Sequence, residues 1–205
     1  KDDAIRHRHW KQLMEISGVT ITVDRTMPLD DVLMLPFSQM GDDVWEITIN
    51  ATKELVIEQM MESIEETWSK KTIEYEAHDP TGVPMVASST HELIRDLQEE
   101  QVVLQGLLQH RTVTFFYENV IEWQTKLAIC ETVAKLALSV QGAWARMQFL
   151  FVNDADIRKT LGEMADVFNT TQNEFKVAMA EMKTDPNVLS TCASHTVLDK
   201  LQALE

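Results

Sequence analysis

The side chains best equipped for chemistry in this 205-residue chain are six histidines, two cysteines and a surplus of carboxylates. Their spacing decides whether they can work together. His7 and His9 stand two residues apart, an offset that turns them about 200° from each other on a helix and onto opposite faces. They read as structural or surface histidines and not as a metal pair. Cys130 could serve as a nucleophile, but it falls in the apolar stripe of a long helix, where a small buried hydrophobe is expected. Cys192 lies on a separate predicted helix, and two isolated thiols fit a reducing compartment better than a disulfide framework. The run from Gly82 to Ser89 lacks the second glycine and the lysine of a phosphate loop, and no Gly-x-Gly-x-x-Gly occurs. Paired carboxylates cannot be told from the many other glutamates. The sequence therefore offers no catalytic residue, no cofactor-binding residue and no metal ligand, and a metal- or thiol-dependent hydrolase is set aside on this geometry.

Charge narrows the partners. Lys and Arg total 18 against 33 Asp and Glu, a formal charge of -15, so neither nucleic acid nor an anionic membrane surface is the expected partner. No stretch approaches the roughly 18 consecutive apolar residues of a membrane span. Lys1-Asp2-Asp3 does not open a secretory signal, and the chain is expected to be intracellular.

The elements that would position these side chains are mostly helical. A first helix is predicted over about residues 4 to 17, stopped by Gly18. Val19 to Val23 alternates as a short strand does, and Thr26 to Leu33 suits a helical turn ended by Pro36. A second helix starts near Asp42 or Asp43, with Val44, Ile47, Ala51, Leu55, Met61, Ile64 and Trp68 on one side. Glu46, Glu54, Glu58, Glu62, Glu65 and Glu66 form its other side, read as a solvated face. Residues 72 to 88 read as a β-hairpin around Asp79-Pro80-Thr81-Gly82, with Pro84 on an edge arm. Its short arms suggest a local appendage. Ser89-Thr90-His91-Glu92 looks like a capping box opening a helix with Leu93, Leu97, Leu104 and Leu107 or Leu108 inward. From Thr114 to Phe151 there is no proline and only Gly142, so one helix of about 38 residues, roughly 57 Å long, is the simplest assignment. Asn153, Asp154 and Asp156 break it. A helix from Glu163 to Met182, a turn at Asp185-Pro186 and short helical pieces complete the chain. The fold class is mainly α, an elongated bundle of long helices with a small β-hairpin insertion. Three parts follow in order: residues 1–71, a subdomain with two main helices; 72–88, the hairpin; and 89–205, a long-helix bundle. Trp10, Trp68, Trp123 and Trp144 are expected in the core with their indole N–H groups satisfied, while Trp45, off the best stripe, is expected at the surface or an interface.

Read as a composite, several stretches resemble one family. Arg8-His9-Trp10-Lys11-Gln12-Leu13 closed by Gly18, and Ile47 through Ala51, Lys53-Glu54 and Ile57-Glu58 to Trp68, look like the linker region of dynein heavy chains. Phe116, Val120, Trp123 and Leu127 are similar to that family's long helix. Val140-Gln141 followed by Trp144 and Phe151 resembles its Val-Gln-x-x-Trp segment, and Asp156-Ile157, Phe168, Pro186-Asn187-Val188 and Cys192 match later pieces. Order and spacing across nearly the whole chain carry the resemblance. Three departures stand out: Ala137 where the family usually has Trp, Arg146-Met147 for a Tyr-Leu pair, and Thr160-Leu161-Gly162 for Gln-Leu-Pro. They suggest a divergent, axonemal heavy chain.

The resemblance implies a force-carrying linker that bends and straightens over an AAA+ ring, with ATP and Mg bound in that ring and none in this segment. It implies the ring of the same heavy chain and the other dynein subunits as partners, and a place in the cytoskeleton, with the axoneme of a cilium or flagellum favoured over the cytoplasm. Microtubules would be met only through other parts of the molecule, since tubulin is itself acidic. The alternative is a non-motor helical scaffold binding proteins through its Trp-rich and acidic faces.

Overall fold

Helix α1 (His7–Ser17) shows how local sequence sets the elements. Arg6 is extended at φ -101° and ψ 167°, and its N–H donates to His9 Nδ1 at 3.0 Å. His9 thus takes the place that glutamate holds in a capping box. At the other end Gly18, at φ 68°, turns its N–H back to the Met14 carbonyl at 3.0 Å. That left-handed conformation is one glycine adopts without strain.

The computed structural model describes residues 3–23, 36, 39–79, 81–153, 160, 162–193 and 195–205. The chain divides into two compact units, Lys1–Ser63 with Leu107–Tyr117, and Ile64–Gly106 with Glu118–Glu205. Among the described residues there are seven α-helices and one two-stranded antiparallel sheet, a mainly α fold as the sequence indicates.

The first unit holds α1, part of α2 (Gly41–Lys70) and a 3-10 turn, Arg111–Phe115. Leu13, Ile21 and Met40 form a small core with Trp10, Met14, Val19, Val44 and Ile47 packed against it. The strand expected over Val19 to Val23 does not form. With no neighbour to pair with, these alternating apolar residues pack instead of laddering, and Ile21 N–H points to Met14 Sδ at 3.2 Å. On α2, Ala51, Ile57, Met61, Ile64 and Trp68 are buried, so Ile57 joins the predicted stripe. The helical turn proposed for Thr26 to Leu33 lies outside the described residues, as do Asp154 and Asp156 of the later break.

The second unit contains β1 (Tyr75–His78), β2 (Val83–Val86), α3 (Thr90–Leu108), α4 (Tyr117–Asn153), α5 (Gly162–Thr184), α6 (Val188–Ala193) and α7 (His195–Ala203), with parts of α2–α4 as the boundaries assign. The hairpin register runs from Tyr75 opposite Val86 to His78 opposite Val83, closed by Gly82 at φ 68°. It is no appendage: Val83 and Val86 are buried and β2 packs on α5. Val83 and Val86, three residues apart, face opposite sides of the strand, so the packing encloses both faces of a sheet too small to stand alone. Ser89 also departs from its predicted role. Its hydroxyl donates to Glu74 Oε2 at 2.7 Å, and the Glu92 N–H, which a capping box would give to that hydroxyl, donates to the Ser89 carbonyl at 3.0 Å. Helix α4 runs 37 residues and buries Val120, Trp123, Leu127, Cys130, Ala134, Ala137, Val140 and Trp144. It begins later than expected, because residues 111–115 wind more tightly as the 3-10 turn.

Candidate functional site

Several described polar side chains enter the packing as clasps between elements. In the first unit, Glu54 on α2 is the shared acceptor of two neighbours on α1. Arg8 Nε donates to Glu54 Oε2 at 2.6 Å, and His9 Nε2 lies 3.0 Å from the same oxygen. Arg6 N–H can only donate, so His9 Nδ1 is the acceptor there and Nε2 carries the hydrogen that Glu54 receives. Both ring nitrogens are committed, at 1% exposure, which leaves His9 nothing to offer a metal. His7 is exposed.

The same guanidinium is also stacked. Arg8 Cζ lies 4.1 Å from the Phe115 ring centroid and 5.2 Å from that of Phe116, the geometry of a cation over aromatic faces. One helical turn along, Arg6 Nη2 pairs with Glu58 Oε2 at 2.7 Å. The hydrogen bond that Arg6 gives to Glu58, then the Glu58 charge, raises the Arg6 pKa further. Glu54 and Glu58 are therefore not part of the solvated face the sequence suggested, whereas Glu46, Glu62, Glu65 and Glu66 are exposed.

In the second unit Gln141 holds the hairpin. Its Oε1 accepts from Val86 N–H at 2.9 Å, and its Nε2 donates to the Val86 carbonyl at 3.1 Å. Three residues on, Trp144 stacks on Phe175 with centroids 4.9 Å apart and meets His78 edge-on at 5.1 Å. Asn187 works similarly at α6. Its Oδ1 accepts from Leu189 N–H at 3.0 Å, and its Nδ2 donates to the Ser69 carbonyl at 2.8 Å.

Helices α3 and α4 meet at Glu131. Gln98 and Gln101 donate to its two oxygens at 2.7 Å each, and Lys135 donates at 2.5 Å. The Lys135 hydrogen bond first, then that of Gln98, pulls the Glu131 pKa down to about 2.

No three His, Cys, Asp or Glu side chains converge as a metal site would among the described residues. Nor is any described helix long and apolar enough to cross a membrane. A groove of about 470 Å³ opens beside Val140, Trp144, Met147, Val167 and Phe168, with apolar side chains as its main lining. Trp45 is 68% exposed, as its off-stripe position indicates. Trp68, Trp123 and Trp144 are buried. Contrary to expectation, the indole N–H groups of Trp68 and Trp144 find no acceptor among the described residues.

Sequence reasoning missed Glu54 as a common acceptor, Gln141 as a backbone mimic, and the meeting of Cys130 with Cys192, each of which shifts the titration of the other. The available signal was the clustering of Arg8-His9, Lys53-Glu54 and Gln141 in the recognised stretches.

Comparison with known proteins follows the same residues. The family model described as "Dynein heavy chain, N-terminal region 2" matches residues 1–205. The chain is similar to "Dynein beta chain, ciliary" of Heliocidaris crassispina, at 34% identity over 100% of this chain and 5% of that protein. It is 33% identical to "Dynein axonemal heavy chain 9" of Homo sapiens over 100% of this chain and 4% of the relative. With "Dynein axonemal heavy chain 11" of Sus scrofa the identity is 36%, over 98% of this chain and 4% of the relative. The chain thus spans only about a twentieth of the length of the relatives it matches.

Proposed function

The chain belongs to the dynein heavy chain family, within its N-terminal region, and from that premise we propose that it is a segment of the mechanical linker of an ATP-driven microtubule motor. In this reading it remodels between bent and straight states and transmits force from an AAA+ ring elsewhere in the heavy chain. ATP and Mg act in that ring, and this segment takes no part in the chemistry. Its partners are the ring and the other dynein subunits, and microtubules are met through other parts of the molecule. The names of its relatives, ciliary and axonemal, favour the axoneme as its place.

One observation supports the mechanical role above others. Helix α4 runs 37 residues with a buried stripe from Val120 to Phe151. Backbone hydrogen bonds along its axis and side chains locked on one face make such an element resist bending. The clasps at Gln141 and Glu131 fix the neighbours of this helix to it, so that load on one is shared by the others. Fluorescence energy transfer tests the reading in a complete heavy chain. With a donor in place of the exposed Trp45 and an acceptor on the ring, transfer is expected to differ between nucleotide states. Identical transfer in every state would contradict it.

A further inference from the structure

Two thiols that the sequence puts on separate helices meet in the core of the second unit. Cys130 on α4 is 1% exposed and Cys192 on α6 is 4% exposed, and both are free. Each thiol shifts the titration of the other. Cys130 Sγ also lies 3.8 Å from the Val188 carbonyl, one helical turn before Cys192, which places α6 directly over the Cys130 sulfur. We propose that Cys130 and Cys192 are a redox-sensitive staple, which a peroxide oxidises to a disulfide that locks α6 onto α4.

The step balances as follows. The Cys130 thiol gives up its proton and its sulfur attacks one oxygen of hydrogen peroxide. The O–O bond breaks, a sulfenic acid forms, and the departing hydroxide takes the proton to leave as water. The Cys192 thiol then attacks the Cys130 sulfur. The S–S bond forms, the S–O bond breaks, and the sulfenic oxygen leaves with the Cys192 proton as a second water. The two sulfurs lose two electrons in all, and the peroxide gains them.

The neighbouring Cys192 lowers the Cys130 pKa, whereas the proximity of Cys130 and then burial push the Cys192 thiol up. In the proposed step Cys130, beside the Val188 carbonyl, is the attacking sulfur and Cys192 the resolving one. Tyr75, whose hydroxyl is held high by burial first and then by the charge of Cys192, lies close to that thiol. Access comes through α6. This six-residue helix is tied at its start by Ile73 N–H to the Pro186 carbonyl at 2.7 Å, Val188 N–H to the Lys71 carbonyl at 3.0 Å and Asn187 Nδ2 to the Ser69 carbonyl at 2.8 Å, and local opening of these bonds uncovers both sulfurs.

The test uses the whole chain. After exposure to hydrogen peroxide, remaining thiols are alkylated in denaturant and the protein is digested for mass spectrometry. A linked peptide pair carrying Cys130 and Cys192, lighter than its parts by two hydrogens and released by dithiothreitol, is expected. The pair should be missing in Cys192→Ala, whose Cys130 should instead be trapped as a sulfenic acid by dimedone. In the oxidised wild type the amides of α6 should exchange more slowly. Two alkylated thiols after peroxide, or Cys130 oxidised without a link to Cys192 in the wild type, would overturn the proposal without requiring any variant to fold.

Discussion

The side-chain amide of Gln141 exchanges two hydrogen bonds with the backbone of Val86, 55 positions earlier in the chain. A residue of α4 thereby stands where a third strand would pair, and the hairpin gains an anchor on the helix beneath it. Replacing Gln141 by Leu leaves the N–H and carbonyl of a buried residue unpaired, at about 1 to 3 kcal/mol. Urea denaturation should show that loss, and hydrogen exchange should show the amides of Val83 to Val86 opening first.

Glu54 makes a second prediction. Glu54→Ala removes the common acceptor of Arg8 and His9 and is expected to cost about 1 to 3 kcal/mol. Glu65→Ala, at an exposed position of the same helix, should stay within about 0.5 kcal/mol. Equal effects in chemical denaturation would mean that the α1–α2 clasp adds nothing.

Trp123 and Trp144 are 8% and 5% exposed. Either residue replaced by Ala should cost about 3 to 5 kcal/mol. A loss below about 1 kcal/mol at both, by the same assay, would mean that the face of α4 they share is not a packed core.

Glu131 predicts a pH dependence. Its pKa falls from 4.5 toward about 2 in the folded chain, so the folded state binds the proton less readily than the unfolded one. The stability it contributes is complete above the unfolded value and is lost as pH falls from about 5 toward 2. The stability difference between wild type and Glu131→Gln should therefore shrink across that window, and a difference constant with pH would contradict the assignment.

Much of the helical layout was legible because burial repeats with the helix period. Leu93, Leu97, Leu104, Val120, Leu127 and Trp144 each lie inside as their spacing indicates. What periodicity cannot express is a partner far away in the chain. Glu54 and Glu65 have the same side chain on the same helix, and only the arrival of α1 makes one an acceptor and leaves the other solvated. Val19 to Val23 alternate as a strand does, yet without a neighbouring strand that pattern has nothing to pair with. The hairpin itself was legible from its turn residues, but its attachment was not, since Gln141 reads on sequence as one more position of a helical stripe.

The most direct test of the mechanical account softens α4 within an otherwise intact heavy chain. Ala134 is 2% exposed in the middle of that helix, and a proline there removes a backbone hydrogen bond and clashes with the preceding turn, at roughly 3 kcal/mol or more. If the segment carries force, Ala134→Pro should slow or stop microtubule gliding while basal ATP hydrolysis in the ring persists. Gliding at normal speed, in a mutant shown by circular dichroism to be folded, would contradict the lever and favour a scaffold.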